Sequence, residues 1–311
     1  MPESLFDLEF LFVTGKGGVG KTTVSAALAL AAAKRGKRVL VAMCNSKERL
    51  SHLLEVEPIG PRNRPVFDGF DAVNMTPAIA LEEYGMMVLK VRSVYKAVFE
   101  NRFVSAFLRG TPGIEAWAML GKAYFHVHEE RDGGGPRYDM VIVDGPATGH
   151  ALDMLRVPKV ICDIAPPGLL RNEAEKARAL FVDHDRAAAV LVTLPEDMPA
   201  NETVELNEAL VSEIGLRPHT LVVNSMLPKL FKSSEREAIV ELPQKLPDGS
   251  ALTSIALAGR ERALREKTQR EAMSKLKSAL PDLPRTVLPH LFTPEFRRSA
   301  VESLAESFAE A

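Results

Sequence analysis

Gly15-Lys16-Gly17-Gly18-Val19-Gly20-Lys21-Thr22-Thr23 is the stretch on which the reading of this 311-residue chain turns. Before it, Glu9–Val13 reads as a short buried strand. After it, Lys21–Lys34 is rich in Ala and Leu and reads as a helix that stops at Gly36, a residue suited to the end of a helix. Gly15 to Thr22 follows Gly-x-x-x-x-Gly-Lys-Thr between a strand and a helix, which is the spacing of a phosphate-binding loop. Glycines there let the backbone take positive φ angles and approach an anion that a Cβ would block. Successive N–H groups and the start of the helix then present positive potential. Lys21 is expected to reach the β- and γ-phosphates of ATP, the Thr22 hydroxyl to bind Mg²⁺, and Thr23 to contact the α-phosphate. Lys16 is an extra cation: either a solvated surface charge, or a group that reaches across a dimer interface to a partner's phosphates, as an arginine finger does.

Working outward, strand-like segments alternate with helix-like ones, the pattern of a mostly parallel α/β sheet covered on both faces. Further strands are expected at Arg38–Met43, Phe70–Met75, Tyr138–Val143, Ala188–Thr193, His219–Asn224 and Arg285–Leu288. Helices are expected around Leu257–Leu280 and from about Pro294 to Glu310. From Thr76 to His128 the strand signal gives way to helix. The chain is therefore read as one P-loop domain over 1–311, with a helical subdomain inserted at 76–128. Gly133-Gly134-Gly135-Pro136 precedes a strand rather than a helix, so it is read as a return loop and not as a phosphate site.

The strand before residue 144 is apolar and ends in Asp144-Gly145-Pro146-Ala147-Thr148-Gly149-His150. A carboxylate at the tip of such a strand suits an Mg²⁺ ligand acting through water, and the residues up to His150 suit a loop that senses the γ-phosphate. The competing reading of Asp144 is a turn or helix-cap residue. His150 alone reads as structural.

Composition bounds the rest. Hydrophobic residues make up 46%, aromatics only 6%, and the net charge is −2. That leaves ample aliphatic core and argues against a broad nucleic-acid footprint. Cys44 and Cys162 are too few for a disulfide framework or a four-ligand zinc site. Glu3 and Asp7 stand where a secretion signal would be basic, and no apolar run approaches a membrane span, so a cytoplasmic protein without direct membrane insertion is expected.

Residues 15–23 resemble the deviant Walker A loop of the ATPases that include the arsenite-pump ATPase, the tail-anchored-protein targeting ATPase and the Min/Par positioning ATPases. Asp144–His150 is similar to the switch II of the arsenite/tail-anchored branch. Ala80–Tyr84, Thr111–Glu115, and Pro195-Glu196 with Asn201-Glu202-Thr203 agree with that branch. Val222-Val223-Asn224 is similar to its adenine-contacting strand end, which would have Asn224 read the base. The resemblance runs from Phe10 to about Phe308. It implies a dimer, homomeric or with a related ATPase, that closes on ATP with Lys16 acting in trans. It also implies a protein client on the helical subdomain. Met75, Met86, Met87 and Met119 read either as core or as an adaptable groove for an apolar helix, Met87 sharing a helical stripe with Val91, Val94 and Val98.

The sequence departs from the family pattern in three places. Asn45 stands where switch I carries the Asp that positions the attacking water; an amide hydrogen-bonds to water but does not take its proton. Glu48, one helical turn on, is the stand-in to consider. Ser225-Met226-Leu227-Pro228 lacks the zinc-binding Cys-x-x-Cys, and no cysteine cluster offers an arsenite site. Three readings follow: a switch ATPase acting on a protein client, a non-hydrolysing ATP-binding regulatory subunit, or a Min/Par-like positioning ATPase. The acidic tail, with Glu302, Glu306 and Glu310, opposes the last at a membrane, and the absence of paired cysteines opposes a nitrogenase-type reductase.

Overall fold

A computed structural model describes residues 2–44, 47–89, 113–247 and 251–309. One eight-stranded sheet organises them, in the order β3-β4-β2-β5-β1-β6-β7-β8. The strands are β1 (Phe10–Gly15), β2 (Val39–Cys44), β3 (Arg64–Phe67), β4 (Phe70–Met75), β5 (Met140–Ala147), β6 (Ala187–Thr193), β7 (Pro218–Met226) and β8 (Arg285–Pro289). Every pairing is parallel except that of β3 with β4.

Unbroken apolar runs form the inner strands because both faces of a parallel sheet are covered. β1 shows the logic: Phe10 and Phe12 enter one core, Leu11 and Val13 the other. On the Leu11 side lie α1 (Lys21–Lys34), α2 (Leu50–Leu54) and α10 (Arg298–Glu306). The Phe10 side is covered chiefly by α4 (Ile114–Val127), α5 (Thr148–Ile164), α6 (Leu169–Val182), α7 (Asp197–Ala209) and α9 (Ala251–Ala279). Helices α3 (Pro77–Leu89) and α8 (Ser233–Lys245) are the remaining α-helices among the described residues.

Three expectations are corrected. β3 was not anticipated, because Arg64-Pro65-Val66-Phe67 is short, carries a proline and is only partly buried, all marks of an edge strand. The stretch from Gly145 to His150 is not a loop: β5 continues through Ala147 and α5 begins at Thr148. Gly145 permits this, since a Cβ there would sit 2.7 Å from the Val13 carbonyl oxygen of the neighbouring strand. The last helix is shorter than expected, Arg298–Glu306, and its apolar face (Val301, Leu304, Ala305) is buried in the core beside α1.

Met75 at the end of β4 and Met119 on α4 are core residues, whereas Met86 and Met87 on α3 are half-buried. Val91, Val94 and Val98 lie outside the described residues, as do Thr111, Asn45 and Ser46. Helices α3 and α4 meet through Tyr84 and Trp117, whose rings pack edge-to-face with centroids 5.8 Å apart. Gly121 makes room for the Tyr84 ring, which a Cβ would approach to 2.7 Å. Lys122 on α4 is 1% exposed, and its ammonium donates to Glu83 on α3 and to the Pro61 carbonyl. No helix among the described residues is long and apolar enough to cross a membrane.

Candidate functional site: an anion cradle at the strand ends

In an open parallel sheet the carboxyl ends of the strands share one edge, and ligands bind there. Gly15 ends β1, and Asp144 lies beside Val13 on one side and Met43 of β2 on the other. Gly15 cannot carry a side chain, because a Cβ would come within 2.1 Å of the Val192 carbonyl oxygen on β6. The chain then turns through Gly18 and Gly20, at φ 87° and 94°, into α1. Gly17 and Gly18 are exposed, Val19 is buried as the loop's anchor, and Lys16, Gly20, Lys21, Thr22 and Thr23 are half-buried.

Gly20 is the N-cap of α1 and supplies no side-chain cap. The first N–H groups of that helix therefore face the loop without a side-chain acceptor, which is the arrangement that receives an anion. Lys21 bends back over the loop, donating to the carbonyls of Gly15 and Lys16, each at 3.1 Å. Burial lowers its pKa, and the Asp144 charge pulls the other way.

Across the loop from the sheet, the Thr22 hydroxyl donates to Asp144 Oδ2 at 2.7 Å. Ser25, one turn further along α1 and fully buried, donates to Oδ1 at 3.3 Å. Asp144 itself is 4% exposed. Burial pushes its carboxyl above the usual range, despite the opposing pull of the Thr22 bond, the Lys21 charge and the Ser25 bond. A buried carboxylate held by two hydroxyls and lacking a full counter-charge fits a hard divalent cation with oxygen ligands, and Thr22 and Asp144 would hold Mg²⁺ there. Among the described residues no group of three or more His, Cys, Asp or Glu gathers as a metal cluster. The free thiols of Cys44 and Cys162 are buried in the core on one side of the sheet.

Two further elements complete the edge. Asn224, near the end of β7, donates its amide to the Val19 carbonyl at 2.8 Å, and Ser225 beyond it takes a positive φ of 59° while bonding His290 at 2.8 Å. Lys16 points to α7, where its ammonium pairs with Glu202 and lies 3.6 Å from Met198 Sδ. Glu202, Ser225, His290 and Ser25 were not singled out by sequence as parts of the site. Glu202 lay in a segment that matches the family, Asn201-Glu202-Thr203, and Ser225 in one that departs from it; Ser25 and His290 carried no signal. His150 is exposed in the first turn of α5.

A model of the anion-transporting ATPase family matches residues 8–165, the half of the chain that carries the cradle, Thr22 and Asp144. The chain belongs to the anion-transporting ATPase family. Its similarity to individual family ATPases extends beyond the matched half. It is 28% identical to ATPase BagA of Mycobacterium tuberculosis, over 79% of this chain and 78% of that one. With ATPase GET3 of Kluyveromyces lactis the identity is 26%, over 70% of this chain and 72% of the other. With the arsenical pump-driving ATPase of Escherichia coli it is 27%, covering 77% of this chain but 45% of the pump ATPase.

Proposed function

We propose that this family ATPase binds Mg·ATP in the Gly15–Thr23 cradle and works as a dimeric cytoplasmic switch, using its nucleotide state to handle a protein client. The observation that carries the reading is the uncapped N-terminus of α1, with Lys21 folded over it and the Thr22–Asp144 pair beside it. In this reading Lys21 releases the carbonyls of Gly15 and Lys16 to meet the β- and γ-phosphates, and the N–H groups of residues 18–23 surround them. Bound Mg²⁺ would neutralise phosphate charge. Thr22 and Asp144 would hold it, with Ser25 keeping the carboxylate aimed. Asn224 fixes the loop through Val19 while its amide oxygen is offered to an adenine amino group. Lys16 serves a phosphate from outside the loop, in a partner's site. The helical elements α3 and α4 belong to a subdomain at 76–128 within one domain over 1–311, and they present the client surface.

A second reading, an ATP-binding subunit that hydrolyses slowly or not at all, is favoured by Asn45 and by one contact. Glu48, the acid nearest Asn45 in sequence, is engaged elsewhere: it accepts the Ser51 backbone N–H at 2.8 Å and the Ser51 hydroxyl, holding the start of α2. A carboxylate spent on a helix start is a poor substitute base. A membrane-positioning role finds no support in α10, whose apolar face is buried against the protein itself.

The deciding experiment is Mg·ATP turnover by the purified chain beside Lys21→Ala, with nucleotide binding titrated in parallel. Turnover that the substitution abolishes establishes a self-sufficient ATPase. Tight binding without turnover establishes the regulatory subunit. Binding that survives Lys21→Ala unchanged removes the cradle as the site.

A further inference from the structure

We propose that Glu202 is a positioning residue for Lys16: it holds the ammonium in cis on α7 and sets the threshold at which Lys16 becomes available to a phosphate. The inference rests on the Mg·ATP reading above and concerns how that site is regulated.

Residue 16 is engaged at both ends. Its carbonyl accepts Lys21 inside the loop, while its side chain leaves the loop and reaches Glu202, 186 residues away in sequence. The thioether of Met198, one turn earlier on α7, lies against the same ammonium. Around Glu202 the helix is fixed. Thr203 is 2% exposed and bonds the Pro199 carbonyl at 2.7 Å, and Leu206 is 1% exposed. Asp197 at the start of α7 pairs with Lys275 of α9 at 3.2 Å. Glu202 therefore stands on a packed helix, whereas Lys16 is a long side chain on a glycine-rich loop.

For Lys16 to meet a phosphate, whether in its own cradle or in a partner's, it must give up Glu202. The carboxylate and the nucleotide compete for one cation. The side chains of Lys16 and Glu202 are 29% and 34% exposed, so water and salt screen the pair and its hold is modest. Modest is what a threshold requires: a tight pair would silence Lys16, and no pair would leave it always available. A partly exposed ion pair of this kind corresponds to a two- to five-fold effect, about 0.4–1 kcal/mol.

The test compares the full chain with Glu202→Gln, Glu202→Asp, Lys16→Ala and the Lys16→Ala/Glu202→Gln double variant. The readouts are Mg·ATP titration and sedimentation of the Mg·ATP-loaded protein, at low salt and at about 1 M salt. Glu202→Gln is expected to shift the midpoints of binding and of ATP-driven association two- to five-fold lower at low salt, with the advantage gone at high salt. Glu202→Asp keeps the charge and is expected to stay nearer the parent. The double variant is expected to match Lys16→Ala, since Glu202 acts only through Lys16. Midpoints for Glu202→Gln that equal the parent's at low salt overturn the proposal. So does a shift that survives in the Lys16→Ala background or at high salt. These failures are separable from failure of the site reading, which would appear as undiminished binding by Lys21→Ala.

Discussion

Asn224 on β7 and Val19 in the glycine loop are joined by a hydrogen bond of 2.8 Å from the asparagine amide to the valine carbonyl, although 205 residues separate them. A Cβ on Gly20 would fall 2.3 Å from that same amide nitrogen. The loop is thus clamped between its own helix and a strand far along the chain. Its shape depends on the absence of a side chain at residue 20 and the presence of an amide at 224.

Gly20→Ala should therefore damage binding twice over, through the side chain it pushes away and through its φ of 94°. We expect at least a ten-fold loss of Mg·ATP affinity and a stability cost of about 1–2 kcal/mol. Asn224→Ala should weaken binding with a smaller stability cost, since it removes one hydrogen bond worth about 1 kcal/mol. Nucleotide titration beside thermal unfolding separates the two. Equal affinity for parent and Gly20→Ala would be inconsistent with this geometry.

Asn45→Asp tests switch I. If the amide limits proton removal from the attacking water, the substitution should raise turnover by about 100-fold or more while nucleotide affinity changes little. Steady-state turnover alongside a binding titration decides it. A variant no faster than its parent removes Asn45 as the cause of slow hydrolysis.

Acid stability should depend on a pair away from the nucleotide. Arg38 donates to both oxygens of Asp139, at 3.0 and 2.6 Å, joining the starts of β2 and β5. Those side-chain bonds hold the Asp139 carboxyl below its usual range, against the smaller effect of burial. A depressed pKa in the folded state adds stability that is complete above the unfolded value, about 3.9, and is lost as pH falls through the folded value. Asp139→Asn should cost about 1–2 kcal/mol near neutrality. Its deficit against the parent should shrink below about pH 4. Urea unfolding across that range gives the comparison, and a deficit unchanged at acid pH would reassign the cost to packing.

Gly121→Ala probes the α3–α4 contact. The added methyl meets the Tyr84 ring, and overpacking of this kind costs about 1–3 kcal/mol. Trp117 is the only tryptophan in the sequence and packs on Tyr84, so its fluorescence reports the disturbance directly. Mg·ATP affinity should be unchanged; a parallel loss of binding would mean that these helices and the cradle are one rigid unit.

The cradle and most of the fold were legible because their signals are local. Glycines at 15, 18 and 20 need their backbone angles or clearances whatever surrounds them, and α1 has the expected bounds because Gly20 begins it and Gly36 follows its end. Inner strands such as β6 announced themselves by a run that is apolar up to its last residue, Thr193. The features that escaped are relational. Nothing near Lys16 in sequence reveals Glu202. Nothing near Gly145 shows that β5 runs past it, since the reason is the closeness of the Val13 carbonyl. β3 depends on β4 for its existence as a strand, and a four-residue edge segment with a proline carries too little pattern to be seen alone.

Arg35, just past the end of α1, donates to the carbonyls of Phe308 and Ala309, while Val301, Leu304 and Phe308 lie in the core that α1 also occupies. The helix that opens the cradle therefore waits for a contact 273 residues away in sequence before its burial is complete. Closing so long a loop is slow, so the cradle's supporting helix should gain its final packing late in folding. The glycine loop is read from nine consecutive residues, yet the helix behind it is braced by residues from the far end of the domain.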